Sequence, residues 1–192
     1  MPVCHGARIA SALTAPLLAV ALPIGLCSPA SAATADRTVA TAFVPGAAST
    51  AAATAAQAHR SVVAFRRQMR STLQDYLARY RGRLTVDEYT RFAGLAAKVD
   101  RDLGALSETS ATTARLARGP QRARAARSAD AAYRAYQRSY AEALSTLAQV
   151  QPILQPKLGL LEAMDAKVQL DTRLAEFRTV GDRLLEASSA LH

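Results

Sequence analysis

The chain has 192 residues and a net charge of +9, and all but three of its basic side chains are arginines. Its two cysteines, Cys4 and Cys27, both lie in the first 32 residues, so the rest of the chain can form neither a disulfide framework nor a thiolate site. The remaining residues, about 160, are enough for one domain held together by its core, because such a chain buries close to 70% of its unfolded surface.

The first 32 residues have the pattern of a secretory signal peptide. Arg8 supplies a short positive region, an uncharged and mostly apolar run extends from Ile9 to Leu26, and small residues lead up to Ala32. Cleavage after Ala32 is the favoured interpretation, with an uncleaved membrane anchor and a lipid-modified Cys27 as alternatives. We therefore expect a protein that is secreted or held outside the cytoplasm in the cell envelope or periplasm, with no transmembrane segment after cleavage.

Four long amphipathic stretches follow a short linker. Residues 33–46 predict a flexible linker, because they have no apolar period and end in the turn signal Pro45-Gly46. The rest of the chain shows apolar residues at helical spacing and no strand pattern. Glycines and prolines divide it into the segments 47–82, 85–118, 120–151 and 157–189.

The segment lengths predict how these helices pack. Each is about 32 to 36 residues long, or roughly 50 Å as a helix, and the connections between them are short. Such helices must fold back on one another, so we expect an all-α fold: an antiparallel up-down-up-down four-helix bundle over residues 47–190. Two helical hairpins that pair between chains, giving a homodimer, are the alternative, and near-heptad spacing is compatible with coiled-coil packing in both cases.

Several residues predict where the helices begin and which faces are buried. Thr85, with Glu88 three residues later, has the pattern of a capping box. Gly119 is expected to end the second helix in a left-handed conformation and Pro120 to begin the third. A turn is expected between Pro152 and Pro156. All six tyrosines fall on positions expected to face the core. The core stripe of the fourth helix is predicted to begin with Leu161, Met164 and Val168 and then to shift by one residue at Leu170.

Residue types needed for catalysis or metal binding are scarce after residue 32. The two histidines there, His59 and His192, lie in an alanine-rich segment and at the C-terminus. Neither is placed to activate a serine or threonine, and no metal, haem or phosphate-loop pattern is present. Asp171 is the carboxylate nearest an apolar stripe, although a solvated position is the simpler interpretation. We therefore expect a protein that is not an enzyme and that has no cofactor.

Arginine is concentrated in two parts of the chain. Residues 60–83 and residues 115–138 each hold seven arginines and one acid, whereas residues 141–192 hold seven acids and five bases. In a square bundle the fourth helix lies beside the first and the third. Its acids are therefore expected to neutralise much of the arginine charge.

The segment between the second and third helices is the exception, because it carries five arginines and no acid: Arg115, Arg118, Arg122, Arg124 and Arg127. The last three lie at the start of the third helix, where the helix dipole disfavours cations and unpaired N–H groups attract anions. We predict that this corner binds an anionic lipid, a wall polymer or an acidic protein, and no specific nucleic acid. An arginine excess that merely reflects a GC-rich genome is the alternative.

One short motif has a family resemblance. Residues Leu84-Thr85-Val86-Asp87-Glu88 resemble the Leu-Thr-x-x-Gln signature of small helical periplasmic stress chaperones, with Glu88 in place of the glutamine and no second copy. That resemblance implies a cradle-shaped dimer that holds unfolded clients. The sequence as a whole predicts an exported, non-catalytic bundle that binds anionic envelope components or acidic partners through arginine-rich surfaces. A chaperone-like holdase or a structural spacer is the alternative.

Overall fold

The structure is a computed structural model that describes residues 45–192. This part of the chain forms four helices and no strand: α1 (Pro45–Tyr80), α2 (Val86–Leu116), α3 (Arg122–Leu154) and α4 (Leu160–Leu191), with a short 3-10 turn at Gln155–Lys157. The proposed signal peptide and residues 33–44 of the proposed linker lie outside the described residues. Helix α1 already begins at Pro45, a residue type well suited to the first turn of a helix.

The four helices form an antiparallel up-down-up-down bundle, which confirms the predicted fold class. Helix α2 packs against α1 and α3, and α4 packs against α3 and α1. The antiparallel direction is visible in side-chain hydrogen bonds between α1 and α4, where Ser61 meets Arg183 and Tyr76 meets Gln169. Because α1 and α4 close the bundle within one chain, the alternative of hairpins completed by a second chain is not the observed arrangement.

The bundle has two chemically different ends. We call the end with the α2–α3 connection, residues 117–121, the corner end. We call the opposite end, with the connections 81–85 and 155–159, the loop end. Buried side chains toward the corner end are mostly small: Ala51, Ala55, Ala58, Ser110, Thr113, Ala125, Ala129, Ala132 and Ala187.

Aromatic rings fill the middle of the bundle and the loop end. The rings of Phe65 and Phe177 stack with centroids 4.6 Å apart, and Tyr80, Phe92 and Leu154 form a second buried cluster. Of the six tyrosines predicted to face the core, Tyr80 and Tyr136 are buried and the other four are half-buried. Burial raises the pKa of Tyr136 to about 12.

Two helices at the loop end begin with a glutamate that caps the backbone. The N–H of Glu88 donates to Thr85 Oγ1 at 3.2 Å, and the Glu88 carboxylate accepts from the N–H of Thr85 at 2.8 Å, so the predicted capping box is present. The Glu162 carboxylate likewise accepts from the N–H of Gly159 at 3.0 Å. The five residues that resemble a chaperone signature are thus accounted for as a helix start, and the described chain is a closed bundle rather than a cradle.

Three predictions about helix ends are wrong. Gly119 has no left-handed conformation, because α2 ends in a tight turn where the Gly119 N–H donates to the Leu116 carbonyl at 3.0 Å. Pro120 does not begin α3, which starts at Arg122 with Gln121 as its N-cap. Pro152 lies inside α3 instead of starting a turn. The helix continues through this proline, and the two residues after it, Ile153 and Leu154, are buried.

The predicted core stripe of α4 is wrong at its beginning. Leu161, Met164 and Val168 are 80%, 60% and 64% exposed, and Leu160 beside them is 79% exposed. Phe177 and Leu184, which follow the one-residue shift, are buried. The two patterns lie on different sides of one helix, so only one of them can face α1 and α3.

Candidate anion-binding corner

The five corner arginines lie together at the corner end, and all five are exposed. They come from the last turn of α2, the connection and the first turns of α3. Within residues 45–192, none of the five forms an ion pair with a carboxylate. The structure therefore brings together the residues that the sequence singled out, and it leaves their charge unneutralised.

Arg122 differs from the other four because it has a structural task. Its Nε donates to the Leu191 carbonyl at 3.2 Å, and its Nη2 donates to the Ala190 carbonyl at 3.4 Å. The last carbonyls of a helix have no partner within the helix, and the negative end of the dipole favours a cation there. The position of Arg122 at the start of α3 is thus explained by the adjacent end of α4.

The other four corner arginines form few hydrogen bonds. Arg124 donates to the side-chain oxygen of Gln121 at 3.3 Å. Arg115, Arg118 and Arg127 are exposed and pair with no carboxylate in the described part of the chain. Helix α3 also begins without a side-chain cap and without an acid in its first turn, so the positive end of its dipole adds to the arginine charge.

The nearest acid on α3 is already engaged. Asp130 accepts a hydrogen bond from Ser188 Oγ at 2.5 Å and lies 3.2 Å from Nε2 of His192. These contacts, that of Ser188 first, hold the pKa of Asp130 below its ordinary value. Asp130 is therefore committed to joining α3 to α4, and the corner keeps an excess of positive charge.

Two arginines of α1 are neutralised, although not by the helix that the sequence indicated. Arg66 and Arg70 bind the same carboxylate, Asp100 of α2, at 3.1 and 2.7 Å. The hydrogen bonds from Arg70 and then Arg66 lower the pKa of Asp100. Helix α4 contributes Glu162, which binds Arg83 at 2.6 Å. The expectation that α4 neutralises the charge of α1 is thus wrong for Arg66 and Arg70, because those side chains, one turn apart, face α2.

A serine–histidine contact inside the bundle was missed by the sequence reasoning. Nδ1 of His59 lies 2.9 Å from Ser110 Oγ, while the Ser110 hydroxyl donates to the Ser107 carbonyl at 2.9 Å. While the hydroxyl donates to that carbonyl, its oxygen can only accept from a protonated Nδ1 of His59. Ser110 is 1% exposed, and the space beside it cannot hold a water molecule. The spacing of His59 from Ala55 and Val62 could have indicated that its side chain, which is half-buried, faces the core.

The other polar groups offer no better arrangement for catalysis. Ser188 and His192 both contact Asp130, so the serine and histidine do not form the nucleophile–base bond that activation needs. Asp171 is exposed and pairs with Lys167 at 2.7 Å. A groove of about 280 Å³ between α2 and α3 is bordered by the ion pair of Lys98 and Glu142.

Comparisons place no further constraint on the site. Protein-family models, curated proteins and solved structures give no match to this chain. Among residues 45–192, no three histidine, cysteine or acidic side chains cluster to hold a metal ion. None of the helices described there is long and apolar enough to cross a membrane. The corner end is the site that rests on both the sequence and the geometry.

Proposed function

We propose that this protein is an exported, non-catalytic helical bundle that binds anionic envelope components or acidic partners through the corner end. The observation that carries the proposal is the group of exposed arginines without a carboxylate partner, Arg115, Arg118, Arg124 and Arg127, beside the uncapped start of α3. The signal-peptide pattern of residues 1–32 supports export. Arg122 supports the structure of the site and is not counted as a contact.

The geometry favours an extended anion over a small one. The four side chains come from two helices and a connection, and they stand on an exposed surface instead of lining a cavity. Separate charges of this kind bind a partner that presents several phosphates or carboxylates, such as a lipid surface, a wall polymer or an acidic protein. Because the contacts are exposed, salt screens them over roughly 8–10 Å, and binding should weaken strongly as ionic strength rises.

Binding to anionic vesicles tests the proposal. A variant with Arg115, Arg118, Arg124 and Arg127 changed to alanine is compared with the wild type on vesicles of phosphatidylglycerol and phosphatidylcholine, and on an anionic chromatographic matrix. We expect the variant to lose most of the salt-dependent binding, because the corner supplies the attraction. Phosphatidylcholine vesicles alone should bind neither protein through the corner.

A second variant removes the same charge elsewhere. Arg67, Arg91, Arg101 and Arg134 are exposed and form no ion pair within residues 45–192. Changing these four to alanine lowers the net charge by the same amount and leaves the corner intact. Equal losses in the two variants would show that net charge alone drives binding, and the corner proposal would then be rejected.

A holdase is a second candidate, because the bundle exposes a group of large apolar side chains on α4: Leu160, Leu161, Met164 and Val168. Such surfaces bind the apolar segments of unfolded proteins. A holdase suppresses the aggregation of an unfolded client at a low molar ratio, and Met164→Asp should abolish that effect while the corner variant retains it. Absence of suppression by the wild type rejects this candidate.

A further inference from the structure

The groove between α2 and α3 carries charges of both signs on both of its walls. Helix α2 contributes Lys98 and Asp102, and helix α3 contributes Arg138 and Glu142. Its volume of about 280 Å³ suits a small molecule, because pockets for drug-sized ligands begin at roughly 300 Å³. Which of these charges are already neutralised decides what the groove can bind.

Two contacts fix the register of the helices that form the groove. Lys98 of α2 binds Glu142 of α3, and nearer the corner end Thr113 Oγ1 lies 2.9 Å from Ser128 Oγ. Between these contacts α2 advances by 15 residues while α3 goes back by 14. The two helices therefore keep a steady antiparallel register along the whole length of the groove.

This register places Asp102 opposite Arg138. Residues one turn apart lie on the same face of a helix, so one turn forward from Lys98 and one turn back from Glu142 lead to Asp102 and Arg138. Neither of these two side chains forms an ion pair with any charged residue within residues 45–192. The groove thus contains one pair of opposite charges that is closed and one that is open.

The lining next to the open pair is apolar. One turn further along the two helices lie Ala105 and Ala135, and Leu106, which is buried, also lines the groove. An alanine side chain ends at Cβ, so these positions leave room between the helices. The groove therefore presents a free carboxylate on one wall, a free guanidinium on the other and an apolar surface beside them.

We propose that this groove binds a small zwitterion of the amino-acid type. The carboxylate of the ligand binds the guanidinium of Arg138, which can donate two parallel hydrogen bonds to it. The ammonium group of the ligand binds the carboxylate of Asp102. The hydrocarbon part of the ligand lies against Ala105, Ala135 and Leu106. A ligand with a single charge leaves one of the two walls unneutralised.

The same charges separate this groove from the corner end. Asp102 and Glu142 line the groove and repel a polyanion, whereas the corner arginines attract one. Binding in the groove is expected to be weak, because Arg138 is exposed and exposed ion pairs contribute little free energy. The inference goes beyond the function proposed for the corner end and does not depend on it.

Titration of the isotope-labelled full chain with leucine, followed by NMR of the backbone amides, tests the proposal. Leucine carries both charges and an apolar side chain, leucinamide lacks the carboxylate, and isocaproate lacks the ammonium group. We expect leucine to shift the amide signals of residues 98–106 and 135–142 saturably, with a dissociation constant in the millimolar range. Each analogue should bind at least about threefold more weakly.

Two variants assign the charges of the ligand to the walls of the groove. Arg138→Gln should weaken the binding of leucine and leave that of leucinamide unchanged. Asp102→Asn should weaken the binding of leucine and leave that of isocaproate unchanged. Arg91→Gln and Asp182→Asn are the matched controls and should have no effect, because both residues are exposed and unpaired within residues 45–192 and lie outside the groove.

A third variant fills the groove without changing its charge. Ala105 is exposed, so Ala105→Leu should leave the fold intact while its side chain occupies the space of the ligand. We expect it to weaken leucine binding at least as much as Arg138→Gln does. Ala97→Leu is the matched control, since Ala97 is also exposed on α2 but does not line the groove.

Three outcomes would overturn the proposal: no saturation by leucine at tens of millimolar, equal affinities for leucine and leucinamide, or equal effects of Ala105→Leu and Ala97→Leu. The corner variant should bind leucine as the wild type does. Loss of vesicle binding in that variant therefore concerns the corner end alone, so the two proposals can fail separately.

Discussion

The two ends of the bundle use arginine in opposite ways. At the loop end, Arg83 binds Glu162 and the Lys157 carbonyl, and Lys157 binds Glu88. Both glutamates also cap helix starts, so cations, acids and backbone form connected networks there. Among the five corner arginines, Arg122 alone bonds to the backbone of another helix within residues 45–192. Arg83 therefore helps to hold the fold together at the loop end, whereas Arg115, Arg118, Arg124 and Arg127 form no ion pair within residues 45–192.

The two ends also differ in the size of the side chains that fill their cores. Phe92 and Tyr80 fill the loop end, whereas alanines let the helices approach closely at the corner end. Stability should therefore depend on large side chains and caps at the loop end. It should depend on close helix contacts toward the corner. We therefore expect that the charge of the corner can be removed without loss of the stability of the fold.

The largest effect is expected from Phe92→Ala at the loop end. Phe92 is 2% exposed, and truncating a buried phenylalanine typically costs about 3–5 kcal/mol because it leaves a cavity. Denaturant unfolding measures the loss. The quadruple alanine variant of the corner arginines is the comparison, and it should change the free energy of unfolding by no more than about 0.5 kcal/mol for each substitution. A corner variant that unfolds as readily as Phe92→Ala would contradict the separation of charge from stability.

A smaller loss is expected from Gly181→Ala, between the two ends. A Cβ at this position would overlap the ring of Tyr136, so the ring, which packs against Phe177 and Tyr140, or the helix backbone has to shift. Overpacking of this kind costs about 1–3 kcal/mol. Gly94→Ala is the matched control, since nothing lies within 4 Å of its Cβ and helix propensity should stabilise it by about 0.5–1 kcal/mol. Similar results for both glycines would exclude a close helix approach at Gly181.

Substitutions at the starts of α2 and α3 should change the free energy of unfolding in opposite directions. Thr85→Ala removes a capping hydrogen bond and should destabilise the protein by about 0.5–2 kcal/mol. Gln121→Asp supplies an acid and a cap that α3 lacks, and it should stabilise the protein by about 0.5–1 kcal/mol. The same change should weaken binding to anionic vesicles. Stabilisation without any loss of vesicle binding would mean that the start of α3 takes no part in the site.

The smallest effect is expected at low pH, in the part of the free energy of unfolding that Asp100 contributes. The pKa of Asp100 is lower in the folded protein than its ordinary value of 3.8, so the unfolded chain binds more protons between the two pKa values. The stability contributed by Asp100 is therefore complete above the unfolded pKa and is lost as pH falls through the folded pKa. Asp100→Asn should flatten the acid limb of the stability profile, whereas the corner variant should keep its slope. An unchanged slope in Asp100→Asn would show that Arg66 and Arg70 do not stabilise the folded state.

Local chemistry explains which features could be predicted from the sequence. The capping box at Thr85 and Glu88 depends on residues three apart, and the breaks near Gly82, Gly119 and Pro156 depend on backbone conformation. Both are properties of neighbouring residues, so the sequence predicts them to within a few positions. The left-handed conformation predicted for Gly119 failed because a tight turn satisfied the same carbonyls in another way.

Contacts between helices could not be predicted in the same way. The sequence brought the corner arginines together, because they are close along the chain. It did not show that Arg122 reaches the end of α4, that Asp100 binds two arginines of α1, or that His59 meets Ser110. Each of these contacts depends on the relative register of two helices, which no local pattern encodes.

The sequence by itself determined an all-helical chain, four helices of nearly equal length and an arginine-rich connection between the second and third. Short connections and the 3.6-residue period are enough to require these features. Only the tertiary structure decided which apolar pattern of α4 is buried, because Leu161, Met164 and Val168 satisfy the same period as the residues that face the core. Two helices beside α4 can cover one side of it, and the packing of Phe177 and Leu184 against α1 and α3 selects that side.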